Sequence, residues 1–127
     1  MTPARASIQL IAGLTLTAAA LAPLPAVAAR TSFDGNWSVL IVTESGPCDR
    51  GYRYGLSIRN GQVFYEGSAA VNVDGRVSGN GSVRVRLSAG SQTASGTGRL
   101  ARNYGSGRWR GVGSSGTCSG TWTAERR

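Results

Sequence analysis

The chain predicts an all-β fold: an eight-stranded antiparallel up-and-down meander, closed into a small barrel and stapled by one disulfide. Three observations carry that expectation. Beyond residue 28, apolar and polar residues alternate along short segments, the period of a sheet buried on one face and wet on the other. Turn signals rich in Gly, Asn and Ser recur about every 8–12 residues, as all-β domains show. Finally, Cys48 and Cys118 fall at the end of the first segment and the start of the last. Those two places meet when the sheet closes on itself.

The first element is a leader rather than part of the fold. Arg5 supplies a positive start, residues 8–21 are apolar, and Pro23 and Pro25 interrupt the run. Ala26-Val27-Ala28 then offers the small-x-small pattern of a cleavage site. The expectation is a signal peptide over residues 1–28 and a single domain over 29–127. The apolar run is shorter than the ~20 residues a helical span needs, so no transmembrane span is expected in the mature chain. Export places the protein in a secreted or periplasmic setting, where a Cys48–Cys118 disulfide forms by default. Closing so long a loop contributes roughly 4 kcal/mol in the chain-entropy account.

The strands follow in order. Residues 36–45 put Trp37, Val39 and Ile41 on one parity, and residues 51–59 continue with Tyr52, Tyr54, Leu56 and Ile58. Asn60-Gly61 tolerates positive φ at both positions and predicts a type I′ hairpin into residues 62–67, with Val63 and Tyr65 inward. Residues 69–77 carry Val71, Val73 and Val77; residues 82–88 carry Val83, Val85 and Leu87. Residues 92–102 and 107–113 turn small residues inward, Ala94, Gly96, Gly98 and Gly111, beside Leu100 and Trp109. Residues 117–126 end the meander with Cys118, Gly120, Trp122 and Ala124. Asn80-Gly81, Ala89-Gly90-Ser91 and Tyr104-Gly105 read as the intervening turns.

In an eight-strand meander the first and last strands pair antiparallel, and closure removes the unpaired edges that invite aggregation. Small inward residues opposite bulky Trp and Tyr suit a narrow barrel. A two-sheet sandwich is the alternative architecture. An outer-membrane barrel is disfavoured by the arginines on the outward parity, since that face would have to meet lipid.

The function classes are narrowed mainly by what the chain lacks. It has no histidine and no lysine, which removes Ser–His and Cys–His nucleophile pairs and Schiff-base chemistry. Its six carboxylates fall on outward positions, in loops or at strand ends, with no inward pair for glycoside hydrolysis. Gly111-Val112-Gly113-Ser114-Ser115-Gly116 has dinucleotide-loop spacing, but a strand follows where that loop needs a helix, so it reads as a hairpin. A non-enzymatic protein without cofactor or metal is expected.

Two candidate sites remain. Thr43, Tyr52, Tyr54 and Tyr65 face a wall of Ala94, Gly96, Gly111 and Gly120 at the end that carries the disulfide and the 45–51 loop. Missing side chains leave room there, and tyrosine hydroxyls offer polar handles for a small molecule or envelope component. The three tryptophans are expected to plug the opposite end. Outside, Arg84, Arg86, Arg99, Arg108 and Arg110 share one face of a chain whose formal net charge is +8, a candidate site for anions or a polyanion. Nucleic acid is disfavoured, because that face has few aromatic residues for base stacking.

Phe33-Asp34-Gly35-Asn36-Trp37, Gly46-Pro47-Cys48, Asn60-Gly61, Gly107-Arg108-Trp109 and Cys118-Ser119-Gly120-Thr121-Trp122-Thr123-Ala124-Glu125-Arg126 together resemble a group of small exported β-proteins of rhizobial-type alphaproteobacteria. The resemblance spans nearly the whole mature chain. It implies export and a β-fold but no particular activity; some members carry haem-utilisation or adhesion-exoprotein labels. Haem-related binding is therefore a third functional expectation, with tyrosine as the conceivable axial ligand. Gly35 and Trp37 are also similar to the opening of avidin-type and lipocalin-type barrels, although too few positions match to carry a biotin site across. Periplasmic metalloprotease inhibitors are similar in size, disulfide count and early Trp. That likeness implies the runner-up function, a protein-binding module acting through an N-terminal trunk, here the short stretch from Arg30 to Asp34.

Overall fold

The computed structural model describes residues 3–4, 12–16 and 32–127; the expected cleavage point at Ala28 lies outside them. Among the described residues, no helix is long and apolar enough to cross a membrane. The described chain forms β1 (Gly35–Ser45), β2 (Gly51–Arg59), β3 (Gln62–Tyr65), β4 (Asn72–Val77), β5 (Ser82–Ala89), β6 (Gln92–Leu100), β7 (Tyr104–Gly113) and β8 (Gly116–Arg126). Each strand pairs with its neighbour, and β1 pairs antiparallel with β8, so the sheet is a closed barrel in chain order. Cys48 and Cys118 are joined, with Cα atoms 6.1 Å apart. The expected fold class is the observed one.

Most strand limits fall within two residues of expectation; the larger differences lie around the β3–β4 loop and at the start of β7, each for a physical reason. β3 and β4 are shorter than predicted because Gly67, Ser68, Ala69 and Ala70 leave the ladder as an exposed loop. Those residues have little side chain to pack on a pleated surface. Conversely, β7 begins at Tyr104 rather than Gly107. Tyr104-Gly105 is not a turn: Gly105 is a buried strand residue whose bare Cα lies against Leu100, where an added Cβ would be 3.2 Å from the Leu100 Cα.

The buried core sits at the end formed by the starts of odd strands and the ends of even ones. Phe33, Trp37, Ile58, Val63, Val77, Leu100, Trp122 and Ala124 meet there. Trp37 is 1% exposed, and its indole N–H donates to the Phe33 carbonyl at 2.9 Å. The Arg126 guanidinium closes this end, stacked 4.7 Å over the Trp37 ring. It donates to the carbonyls of Arg102 (2.9 Å), Asp34 (2.6 Å) and Ser32 (3.0 Å). Asp34 in turn accepts from the backbone N–H groups of Asn60 and Gly61, whose φ values of 52° and 74° make the expected type I′ turn.

Trp122 lies flat across β6 and β7, and its N–H reaches the Thr97 carbonyl at 3.1 Å. An added Cβ on Gly107 would sit 2.6 Å from the indole, so only a glycine fits beneath it. The small-against-bulky alternation is therefore a contact requirement.

Candidate functional site

Toward the other end the lumen opens. Inward-facing Ile41, Leu56, Val85 and Trp109 remain half-buried instead of buried, because they surround a cavity of about 260 Å³. That volume falls just below the ~300–1,000 Å³ typical of small-molecule sites. The wall is apolar over most of its surface: Ile41, Leu56, Val83, Val85, Leu87 and the two indoles of Trp109 and Trp122. Polar groups gather at the rim, where Ser88, Gln92 and Thr93 belong to the β5–β6 hairpin. Among the described residues, no charged side chain lines it.

The four residues expected to bind a ligand divide. Tyr52 and Tyr54 line the cavity; Thr43 and Tyr65 do not. Thr43 is buried and turned to a different task, its hydroxyl donating to the Asp49 carbonyl at 2.6 Å while its N–H donates to Arg50 at 3.0 Å. These bonds, with the disulfide, fold the β1–β2 loop over the mouth, and Cys48 joins the lining. Tyr65 packs edge-on to Tyr54 with ring centroids 6.1 Å apart, and its hydroxyl rests on Gly67 of the loop after β3. Tyr52 and Tyr54 stack at 6.1 Å and 24°. Burial, and then the neighbouring Tyr52 and Tyr65 hydroxyls, push the Tyr54 phenol above its ordinary pKa of 10.0. It is a neutral hydrogen-bond donor at the cavity wall.

On the opposite wall, Ala94, Gly96 and Gly111 line the space as expected, whereas Gly120 does not. The register of β1 against β8 shifts between Thr43 and Ser45. That irregularity brings the Val42–Glu44 backbone against Gly120, where an added Cβ would be 2.9 Å from the Glu44 nitrogen. Trp109 exploits the same bulge by donating its N–H to the Val42 carbonyl at 2.9 Å. So Trp109 is not part of a tryptophan plug: it stands mid-strand, paired across from Gly96 and Gly120, and forms cavity wall. Its parity is evident in the sequence; its height in the barrel was hidden by the misread start of β7.

No group of three or more His, Cys, Asp or Glu stands ready to hold a metal among the described residues. The chain has no histidine and its one methionine is Met1, which leaves tyrosine as the conceivable axial ligand for haem.

The five arginines all point outward and are exposed. Arg84 pairs across to Thr97 and Thr97 to Arg108; Arg86 pairs to Ser95 and Ser95 to Arg110. Arg99 lies one row nearer the closed end, opposite Ser82 and Ser106. No family model, curated protein or solved structure matches this chain.

Proposed function

We propose that this protein is an exported, non-enzymatic barrel that takes one small, uncharged and mainly apolar molecule into its open end. The observation that carries the reading is the change in the lumen along the barrel axis. The same inward parity that packs solidly at the Trp37 end surrounds an apolar space of about 260 Å³ at the other. An apolar void is energetically unfavourable unless something fills it, because its lining atoms lose their dispersion partners. Uncharged cargo follows from the absence of charged side chains on the described wall, since a buried ion without a partner is strongly disfavoured. Tyr54, as a neutral donor, suits one carbonyl, ether or hydroxyl oxygen on the ligand. Export is supported by the leader pattern and by the disulfide.

The test is titration with N-phenyl-1-naphthylamine, an uncharged apolar fluorophore, followed through its own emission and through quenching of Trp109. Saturation at one equivalent is expected. Gly96→Val should abolish it without unfolding the barrel, because a Cβ at Gly96 meets Trp122 at an ordinary 3.6 Å and the branches then fill the void. Unsaturable binding, or equal binding by Gly96→Val, would overturn the proposal. Native mass spectrometry of protein purified from its own envelope would then show whether a molecule is retained.

A further inference from the structure

We infer that the outer arginines of β5 and β7 dock the barrel onto an anionic lipid surface, with the cavity mouth at the contact. Arg84, Arg86, Arg108 and Arg110 stand at the corners of a rectangle. Strand spacing and residue rise make it about 10 Å across β6 and about 7 Å along the strands. Between the corners stand the hydroxyls of Ser95 and Thr97, which add hydrogen-bond donors to the guanidiniums. Arg76 enlarges the patch by sitting directly opposite Arg84 on β4, a like-charge cross-strand pair that disfavours the sheet on its own. Two carboxylates offset part of this charge. Glu44 lies 3.8 Å from Arg108 with both side chains more than half exposed. Asp74 stands directly opposite Arg86 on β4, although no ion pair joins those two among the described residues; five arginines against two acids leave the patch cationic.

The layout favours a surface over a threaded chain. The patch lies on the convex outside of a closed barrel, spread in two dimensions, and its intervening residues are hydroxyls rather than aromatic platforms. An array of lipid phosphates matches it, since each guanidinium can take a phosphate bidentately. The same wall has the cavity on its other side. Leu87 and Gly111, the neighbours of Arg86 and Arg110, line the lumen, and Val112, 55% exposed, stands at the rim. Contact through Arg86 and Arg110 brings that apolar rim to the lipid, so cargo could pass without crossing water. Docking serves the cavity reading above, yet it is tested without cavity ligand, and the two can fail separately.

The measurement is co-sedimentation with vesicles of phosphatidylcholine alone or of equal parts phosphatidylcholine and phosphatidylglycerol. Binding only to the anionic vesicles, weakening with salt, is expected. Each arginine removed should lower the partition coefficient about fivefold, so Arg86→Ser with Arg110→Ser loses about twenty-five-fold. Arg53→Ser with Arg59→Ser, on β2 and equal in charge change, should bind nearly as the parent does. Arg84→Gln with Arg108→Gln repeats the test in case the first pair fails to fold. Equal binding to neutral vesicles, or an equal loss in the β2 control, overturns the inference. So does retention on dextran sulfate by a protein that ignores anionic vesicles, which would name a soluble polyanion as partner.

Discussion

Arg126 occupies an inward position of β8, where a lone cation would be costly, and three carbonyls together with the Trp37 face make it tolerable. Removing it breaks those three charge-assisted bonds and unseats Ser32–Asp34 from the closed end. Arg126→Ala should therefore cost about 2 kcal/mol, read as a lower urea midpoint with altered Trp37 emission. Arg126→Lys should recover little of it, because a point charge on a flexible stem cannot reach three acceptors at once. Tyr54 makes a second residue-scale prediction. Its folded pKa lies above the unfolded 10.0, so the native state keeps a proton that the unfolded chain has begun to lose. Stability should then fall as pH rises through and beyond 10, and be unaffected by this group below it. Tyr54→Phe should flatten the decline; urea melts across that range with unchanged slope would remove the assigned cause.

At the scale of elements, much of the barrel is legible in the sequence because period-2 alternation survives wherever one face is dry. β2 is read to the residue, and the type I′ turn after it follows from Asn60-Gly61. The Ser114-Ser115 hairpin likewise joins Gly113 to its partner Gly116. What escapes is glycine with two meanings. Gly105 reads as a turn but serves close packing, and Gly67 reads as strand but lies in a loop under the Tyr65 hydroxyl. Alternation alone cannot separate these cases, since a missing Cβ satisfies both. The same ambiguity displaced Trp109 from wall to plug. The parity that places Trp122 and Ala124 inward also places Arg126 inward. Phe33 precedes the first strand and so had no alternation to reveal it, although it is buried over Trp37.

Across the whole molecule, packing is graded: one end is a solid plug and the other is a cavity, so the two ends depend on different interactions. The plug relies on buried side chains and the Arg126 bonds, which are local to it. The open end has an apolar void in place of core, and what restrains it is the Cys48–Cys118 link, the Cys48 N–H donating to the Cys118 sulfur at 3.1 Å, and the Thr43 bonds to the loop. Replacing both cysteines by serine should lower global stability by roughly 4 kcal/mol, because the unfolded chain regains the freedom of a 70-residue separation. The effect on the native state should be uneven. Amide exchange should accelerate in residues 46–51 and 117–120, while the Trp37 and Ile58 amides keep their relative protection. Affinity for the apolar fluorophore should fall along with that local protection, since a loosened loop no longer covers the mouth. Uniform acceleration around both ends would mean instead that the barrel opens only as a unit. In that case the disulfide would serve closure of the sheet and not the shape of the cavity.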